Sequence, residues 1–122
     1  MAETPTFQRK TYTVDATGKI MGRMATEIAT HLIGKTTASY VPYLDHGDNV
    51  VVMNASKMKV SGKKMTGKKY HKYSGYPGGI TSTSLGTLLE KRPDVLLKKV
   101  VYNMLPKNRL RNKRMTRLTV TP

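Results

Sequence analysis

The chain has 122 residues and a formal net charge of +15, from 22 Lys and Arg against 7 Asp and Glu. It has no cysteine, which excludes a disulfide framework and thiolate metal sites, and no apolar run approaches the roughly 20 residues that span a bilayer. The amino terminus lacks the apolar segment of a signal peptide, so we expect one soluble, intracellular domain over residues 1–122, with residues 1–10 flexible.

The first half of the chain contains a strand, a helix and two further strand candidates. TYTVD (11–15) has the short alternation of a strand. From Ile20 the apolar residues fall in adjacent pairs four apart, which predicts a helix with one buried face, ended by Gly34. NVVVM (49–53) is continuously apolar and predicts a strand covered on both faces. MKVS (58–61) is a second short strand candidate.

The second half is predicted to be mainly helical and basic. Ser82 to Ser84 supply a cap for a short helix that stops before Pro93, and Pro93 opens a second helix that ends at Pro106. Residues 107–117 form a basic arm, for which we expect partial disorder without a partner. LTVT (118–121) is a candidate closing strand. This order of elements favours an α/β sandwich with a small, mostly parallel sheet.

The positive charge is large and segregated, which indicates a polyanionic partner. Seven lysines and no acid lie between Asp48 and Glu90, and eight basic residues and no acid follow Asp94. Such blocks are typical of surfaces that bind nucleic acid. A basic membrane-surface helix would need large apolar residues opposite its charges. The lysine block is rich in Gly and Pro instead, which favours nucleic acid over a membrane.

Residues 61–79, SGKKMTGKKYHKYSGYPGG, are the most informative stretch. They include five lysines, five glycines and three tyrosines, without a carboxylate, and Pro77 to Gly79 prevent a helix there. Lysines neutralise phosphates, and aromatic rings stack on unpaired bases. We therefore interpret the stretch as a loop that contacts folded RNA in preference to duplex DNA.

A nucleotide pocket is the alternative interpretation of the same stretch. Gly62, Gly67 and Lys68 match part of a P-loop, but Lys69 replaces the hydroxyl residue that would bind magnesium, and the helix that must follow is not predicted. The glycines at 18 and 22 similarly fail to complete a dinucleotide-binding turn. The sequence therefore gives little support to an enzyme that uses a nucleotide.

No other catalytic or metal site is predicted. Asp45, His46 and Asp48 lie close together in LDHGD, yet too few ligands are identifiable for a metal site. No nucleophile elbow or Ser–His–Asp arrangement is recognisable. The sequence therefore predicts a protein that is not an enzyme and that needs no cofactor.

From about Tyr12 to Val120 the chain resembles the ribosomal protein L-thirteen family of the bacterial-type large subunit. The resemblance lies in the DATGK segment followed by GR, in GD before an apolar strand and NA, in SGYPGGI, and in MLPKN. It implies a three-layer α/β/α fold around a four-stranded parallel sheet and a structural, non-enzymatic role. It also implies binding of large-subunit ribosomal RNA early in assembly, with neighbouring large-subunit proteins as further partners.

The same resemblance implies a place in the ribosome of the cytoplasm, or of an organelle. A free-standing regulatory RNA-binding protein would have the same composition and stays the alternative. Lys19 and Arg23, at the start of the first helix, are predicted to make secondary phosphate contacts. The residues and the resemblance together predict these RNA-binding positions: Lys63, Lys64, Lys68, Lys69, Tyr70, His71, Lys72, Tyr73, Tyr76, Lys107, Arg109, Arg111, Lys113, Arg114 and Arg117.

Overall fold

The structure, a computed structural model, describes residues 9–38, 40–45 and 47–122, with the side chains of all of these except Lys64 and Met65. Most of the stretch that was expected to be flexible, residues 1–10, therefore lies outside the described residues. The elements in chain order are β1 (Thr11–Asp15), α1 (Met21–Ile33), β2 (Asn49–Met53), α2 (Lys64–Gly67), β3 (Lys69–Tyr73), β4 (Ile80–Ser84), α3 (Leu85–Lys91), α4 (Pro93–Met104), α5 (Leu110–Met115) and β5 (Leu118–Val120).

The strands β1, β2 and β5 form a parallel sheet in the order β1–β2–β5. In its register Val14 lies opposite Val52, which lies opposite Val120. The three predicted strands are thus confirmed. The MKVS segment contributes only an isolated bridge between Lys59 and Ile20, so the described sheet has three strands instead of the expected four.

Helix α1 follows the pairing pattern of the sequence. Met24, Ile28 and Leu32 are buried, and the helix ends at Gly34, which adopts a left-handed conformation (φ 92°) and donates its N–H to Thr30 O. The second predicted helix is also confirmed, because α4 begins at Pro93 with its fixed φ in the first turn. Among the described residues, no helix reaches the length and hydropathy of a bilayer span.

The parallel sheet and the helices α1 and α4 form two layers. Helix α1 packs against α4, and these helices also contact β2 and β5, respectively. Both crossovers advance in the same direction along the sheet, and right-handed crossovers of that kind place their helices on the same face. On the other face Thr13, Met53 and Thr119 are exposed. The expectation that the second strand is covered on both faces, as in a three-layer sandwich, is therefore not met in the described part of the chain.

The basic stretch 61–79 is more regular than a loop. A single helical turn, α2, leads into β3, and β3 pairs in antiparallel fashion with β4. Ser84 at the end of β4 then caps α3, with its side-chain oxygen accepting from Thr87 N at 3.4 Å. The hairpin β3–β4 is therefore connected to the main body by the start of α3, a helix start that the sequence predicted.

Candidate nucleic-acid interface

The hairpin β3–β4 holds the predicted lysines in an ordered arrangement. At its tip Ser74 N donates to Gly79 O at 3.0 Å and Gly79 N donates to Tyr76 O at 2.9 Å. The glycines at 75 and 78 supply the positive φ values, 90° and 73°, that this reversal needs. The tip is therefore a built turn, and the strands behind it fix the spacing of the side chains.

The predicted hairpin cations and aromatic residues lie mostly on the surface. In β3, His71 is exposed, and its Nδ1 and Ser82 Oγ form a cross-strand hydrogen bond of 2.7 Å. The Tyr76 side chain at the tip is 76% exposed. The other exposed predicted residues of this segment are Lys63, Lys68, Lys69, Lys72 and Tyr73. The side chain of Lys64 lies outside the described part of the structure.

Tyr70 differs from its neighbours because it packs partly against the core. Burial raises the pKa of its phenol. Two ammonium groups approach its ring, with Lys68 Nζ at 5.7 Å and Lys99 Nζ at 5.5 Å from the centroid, within the range of a cation–π contact. Tyr70 is thus a fixed aromatic wall between lysines instead of a freely exposed stacking platform.

Sequence reasoning missed the contribution of α4 to this surface. Lys98 and Lys99 line a cavity of about 510 Å³ together with Tyr70 and His71, so α4 extends the charged surface of the hairpin. The available signal was the position of both lysines on the exposed side of a helix whose buried stripe includes Leu97 and Val101.

The C-terminal basic segment divides into exposed and occupied side chains. Lys107, Arg109 and Lys113 are exposed. Arg111 stacks on Tyr102, with its guanidinium carbon 3.7 Å from the ring centroid, and its Nη2 donates to Tyr102 Oη at 2.6 Å. Helix α5 lies inside this segment and packs against α4, so the exposed cations stand on a scaffold that is attached to α4.

Arg114 and Arg117, which were expected to face RNA, point into the protein. Arg114 is only 1% exposed, and desolvation lowers its pKa. Arg117 donates to Asp45 Oδ1 at 2.6 Å and to Leu32 O at 2.7 Å. A charge run in the sequence does not reveal this, because which arginine of a run turns inward is decided by the packing of α5. Both side chains belong to the interior and not to the surface that remains available to RNA.

Lys19 and Arg23, the predicted secondary contacts, are exposed beside the start of α1. The Met21 N–H there is taken by Lys59 O at 2.9 Å, and no side chain caps the helix. Arg23 and Lys68 both line another cavity, which is distinct from the one beside Lys98. The structure therefore brings the start of α1 next to the base of the hairpin.

The geometry does not match a P-loop. Lys68 lies between α2, a single turn of four residues, and the strand β3, whereas a P-loop lysine opens a helix whose amino end faces the phosphates. Asp45, from the candidate metal cluster, is engaged by Arg117 and, at 3.6 Å, by Arg9, and His46 lies outside the described residues. Among the described residues no group of three or more potential metal ligands occurs.

Comparison with known proteins places this arrangement in a family. The family model described as Ribosomal protein L13 matches residues 9–121. Among the relatives, Large ribosomal subunit protein uL13 of Clostridioides difficile is 48% identical over 98% of this chain and 84% of its own length. The proteins of the same name from Aeromonas hydrophila and Xylella fastidiosa are 48% and 50% identical over 90% and 89% of this chain, and over 78% and 77% of their own lengths. The chain therefore belongs to the ribosomal protein L13 family, a family of structural, non-enzymatic proteins.

Proposed function

We propose that this protein is a structural constituent of the large ribosomal subunit that binds ribosomal RNA by neutralising phosphates. The observation that carries the proposal is that the hairpin lysines and the α4 lysines meet around Tyr70, at a cavity whose described lining contains no carboxylate. The relatives are named as large-subunit proteins, which supports the same place for this chain, in the ribosome of the cytoplasm.

The mechanism follows from where the charges stand. The small core between the sheet and the helices α1 and α4 holds the hairpin and the α5 segment in fixed positions. Lysines and arginines at these two positions reduce the repulsion between RNA segments, so that RNA helices that are remote in sequence approach each other. A protein with this action supports early assembly of the subunit, and neighbouring large-subunit proteins would then contact its remaining surface.

The paired cations give the interface geometry as well as charge. Arg111 lies over the ring of Tyr102 and Lys99 over the ring of Tyr70, so their side chains lose less conformational freedom when RNA binds than free lysines would. Charge held in a fixed pattern favours an RNA whose phosphates match that pattern. This is the property that distinguishes a subunit component from a nonspecific polycation.

The test is a competition between RNAs. Labelled large-subunit ribosomal RNA is bound to the full chain and challenged with unrelated structured RNA at two salt concentrations. With roughly 6 to 10 phosphate contacts, affinity should fall by about 10³ to 10⁵ between roughly 50 and 200 mM salt. Preference for ribosomal RNA that widens with salt supports the proposal, together with cofractionation with large-subunit particles.

Two outcomes would contradict it. Equal competition by all RNAs would show that the protein supplies only charge. Specific RNA binding without cofractionation would favour a free-standing regulatory protein instead of a subunit component.

A further inference from the structure

A second cavity, of about 550 Å³, lies between the start of α1, the base of the hairpin and the end of α4. Its volume falls within the roughly 300 to 1,000 Å³ that is typical of small-ligand sites. Met21 and Leu85 are buried and line it, and the partly buried Val60 and Val100 continue the apolar lining. The cavity therefore offers an apolar floor that a flat, uncharged group can cover.

Two apolar side chains of the lining are left in contact with solvent. Ile20 is 36% exposed and Met104 is 41% exposed. Burial of this surface by a ligand would be favourable, because apolar area removed from water stabilises a complex. The apolar floor alone does not identify the ligand. The charged groups at the cavity narrow the choice.

The charged groups at this cavity have one sign. Arg23 and Lys68 line it, and none of the described lining residues is acidic. Tyr70 supplies an aromatic wall, beside which Lys99 places a further ammonium group. An occupant that fits all three features is anionic, partly apolar and aromatic. An apolar side chain of a neighbouring protein would satisfy the floor and leave the cations unmatched.

We propose that this cavity receives one unpaired nucleotide of the bound RNA. The base covers the apolar floor beside Tyr70, and its phosphate lies toward Arg23 and Lys68. This inference rests on the proposed function, and it adds a site where a base is taken out of the RNA stack. The lysines of the hairpin contact phosphates, which every RNA has. A base pocket instead requires an unpaired nucleotide at one fixed position in the RNA.

Gly22 offers a way to block the cavity without disturbing the fold. It lies in α1 and lines the cavity, and a Cβ added there meets no atom within 4 Å. Gly22→Leu is therefore expected to fold and to narrow the cavity. Gly67→Leu is the matched control, because a Cβ added at Gly67 also meets nothing within 4 Å and Gly67 does not line the cavity.

The experiment uses the full chain with 13C-labelled methionine methyl groups and follows them by NMR. Met21 and Met104 line the cavity, and Met53 on the open face of the sheet is the internal reference. The chain is titrated with adenosine 5′-monophosphate and, separately, with ribose 5-phosphate, which carries the phosphate without the base. Large-subunit ribosomal RNA is then added to a fresh sample.

The expected result is a saturable shift of the Met21 and Met104 signals, with Met53 unchanged. Adenosine monophosphate should bind roughly fivefold or more tightly than ribose phosphate, as the usual contribution of base stacking implies. Gly22→Leu should remove the shift and Gly67→Leu should keep it. Ribosomal RNA should move the same two signals.

The inference is overturned if adenosine monophosphate and ribose phosphate bind equally tightly, because the cations alone would then explain binding. It is also overturned if ribosomal RNA binds the chain while Met21 and Met104 stay unmoved, as they would if a neighbouring protein filled the cavity. That result leaves the proposed function intact. Absence of ribosomal RNA binding in the competition experiment would instead overturn the proposed function itself.

Discussion

Arg117 Nη1 donates a hydrogen bond to Asp45 Oδ1 at 2.6 Å, across 72 positions of the sequence. The same guanidinium reaches Leu32 O at the end of α1, and Arg9 approaches Asp45 from the residues before β1. One carboxylate thus joins the beginning of the described chain to the segment before β5. The Arg117 side chain is only 9% exposed, so Asp45 compensates a charge that is largely removed from solvent.

Asp45→Ala should therefore lower the free energy of unfolding by about 2–4 kcal/mol, because it leaves a largely buried guanidinium without its counter-charge. Urea unfolding of the two proteins measures the difference. Asp48→Ala is the matched control, since the one hydrogen bond that the Asp48 carboxylate accepts from the described residues is a long one, 3.3 Å from Lys10 N. Equal losses for the two variants would contradict a special role for the Arg117 pair.

Gly47, two residues after Asp45, is required by close packing. A Cβ added there would lie 2.0 Å from Leu32 O and 2.9 Å from Arg117 Nη2. Gly47→Ala should cost about 2 kcal/mol or more, because the backbone of α1 must move. Gly22→Ala, at a helical position with open space, should instead stabilise the protein by about 0.5–1 kcal/mol. Thermal unfolding with opposite signs for the two variants is the expected observation.

Replacing Arg114 is expected to affect stability in the opposite direction from replacing Asp45. Its Nε and Nη2 have no hydrogen-bond partner among the described residues, and desolvation lowers its pKa, so the fold buries this guanidinium without full compensation of its charge. Arg114→Met, with similar length and no charge, should leave stability unchanged or raise it by about 1–2 kcal/mol. The affinity of the Arg114→Met variant for ribosomal RNA should equal that of the wild type. Loss of affinity with normal stability would restore Arg114 to the RNA surface.

The main body was predictable from local patterns, and the reasons are visible in particular residues. The paired apolar residues from Ile20 to Ile33 permit only a helix with one buried face, and Gly34 and Pro93 mark helix ends through their backbone preferences. The number of sheet strands was less predictable. Whether MKVS pairs as a full strand depends on the neighbour that it meets, and here Lys59 meets only Ile20.

The candidate site was predictable in its location but not in its structure. KYHKY has no buried face and ITSTS is mostly polar, so neither has the hydrophobic alternation by which strands are recognised. The positions of the Lys99 and Arg114 side chains were not predictable from the sequence either. Lys99 approaches the ring of Tyr70, and Arg114 turns into the interior. Both positions follow from how the helices pack in three dimensions.

Asp15 makes the stability of the fold depend on pH in the acidic range. Hydrogen bonds from Thr17 N and Thr17 Oγ1, and then one from Asn54 Nδ2, lower its pKa below 3.8. A carboxyl whose pKa is lower in the fold stabilises the protein above its unfolded pKa, and this contribution disappears as pH falls through the folded value. The advantage of the wild type over Asp15→Asn should therefore shrink from pH 5 toward pH 2. Thermal unfolding across this range measures it, and a constant difference would contradict the role of the charge.

The hairpin lysines should control the salt dependence of RNA binding. Lys68→Ala combined with Lys69→Ala removes two exposed cations at the base of the hairpin, and each phosphate contact contributes about 0.9 to the slope of log affinity against log salt for duplex. The double variant should bind ribosomal RNA more weakly, with a slope smaller in magnitude by about 1 to 2. Filter binding at several salt concentrations measures both quantities.

The control for that experiment removes the same charge elsewhere. Lys10 lies directly before β1, and Lys35 lies just after the carboxyl end of α1. Helix α1 is about 20 Å long, and its other end faces the hairpin. Lys10→Ala with Lys35→Ala therefore lowers the net charge equally at the opposite end of the domain. If both double variants flatten the slope to the same extent, overall charge drives binding. If only the hairpin variant does, phosphates contact the hairpin directly, and the order of the strands β3 and β4 sets where they lie.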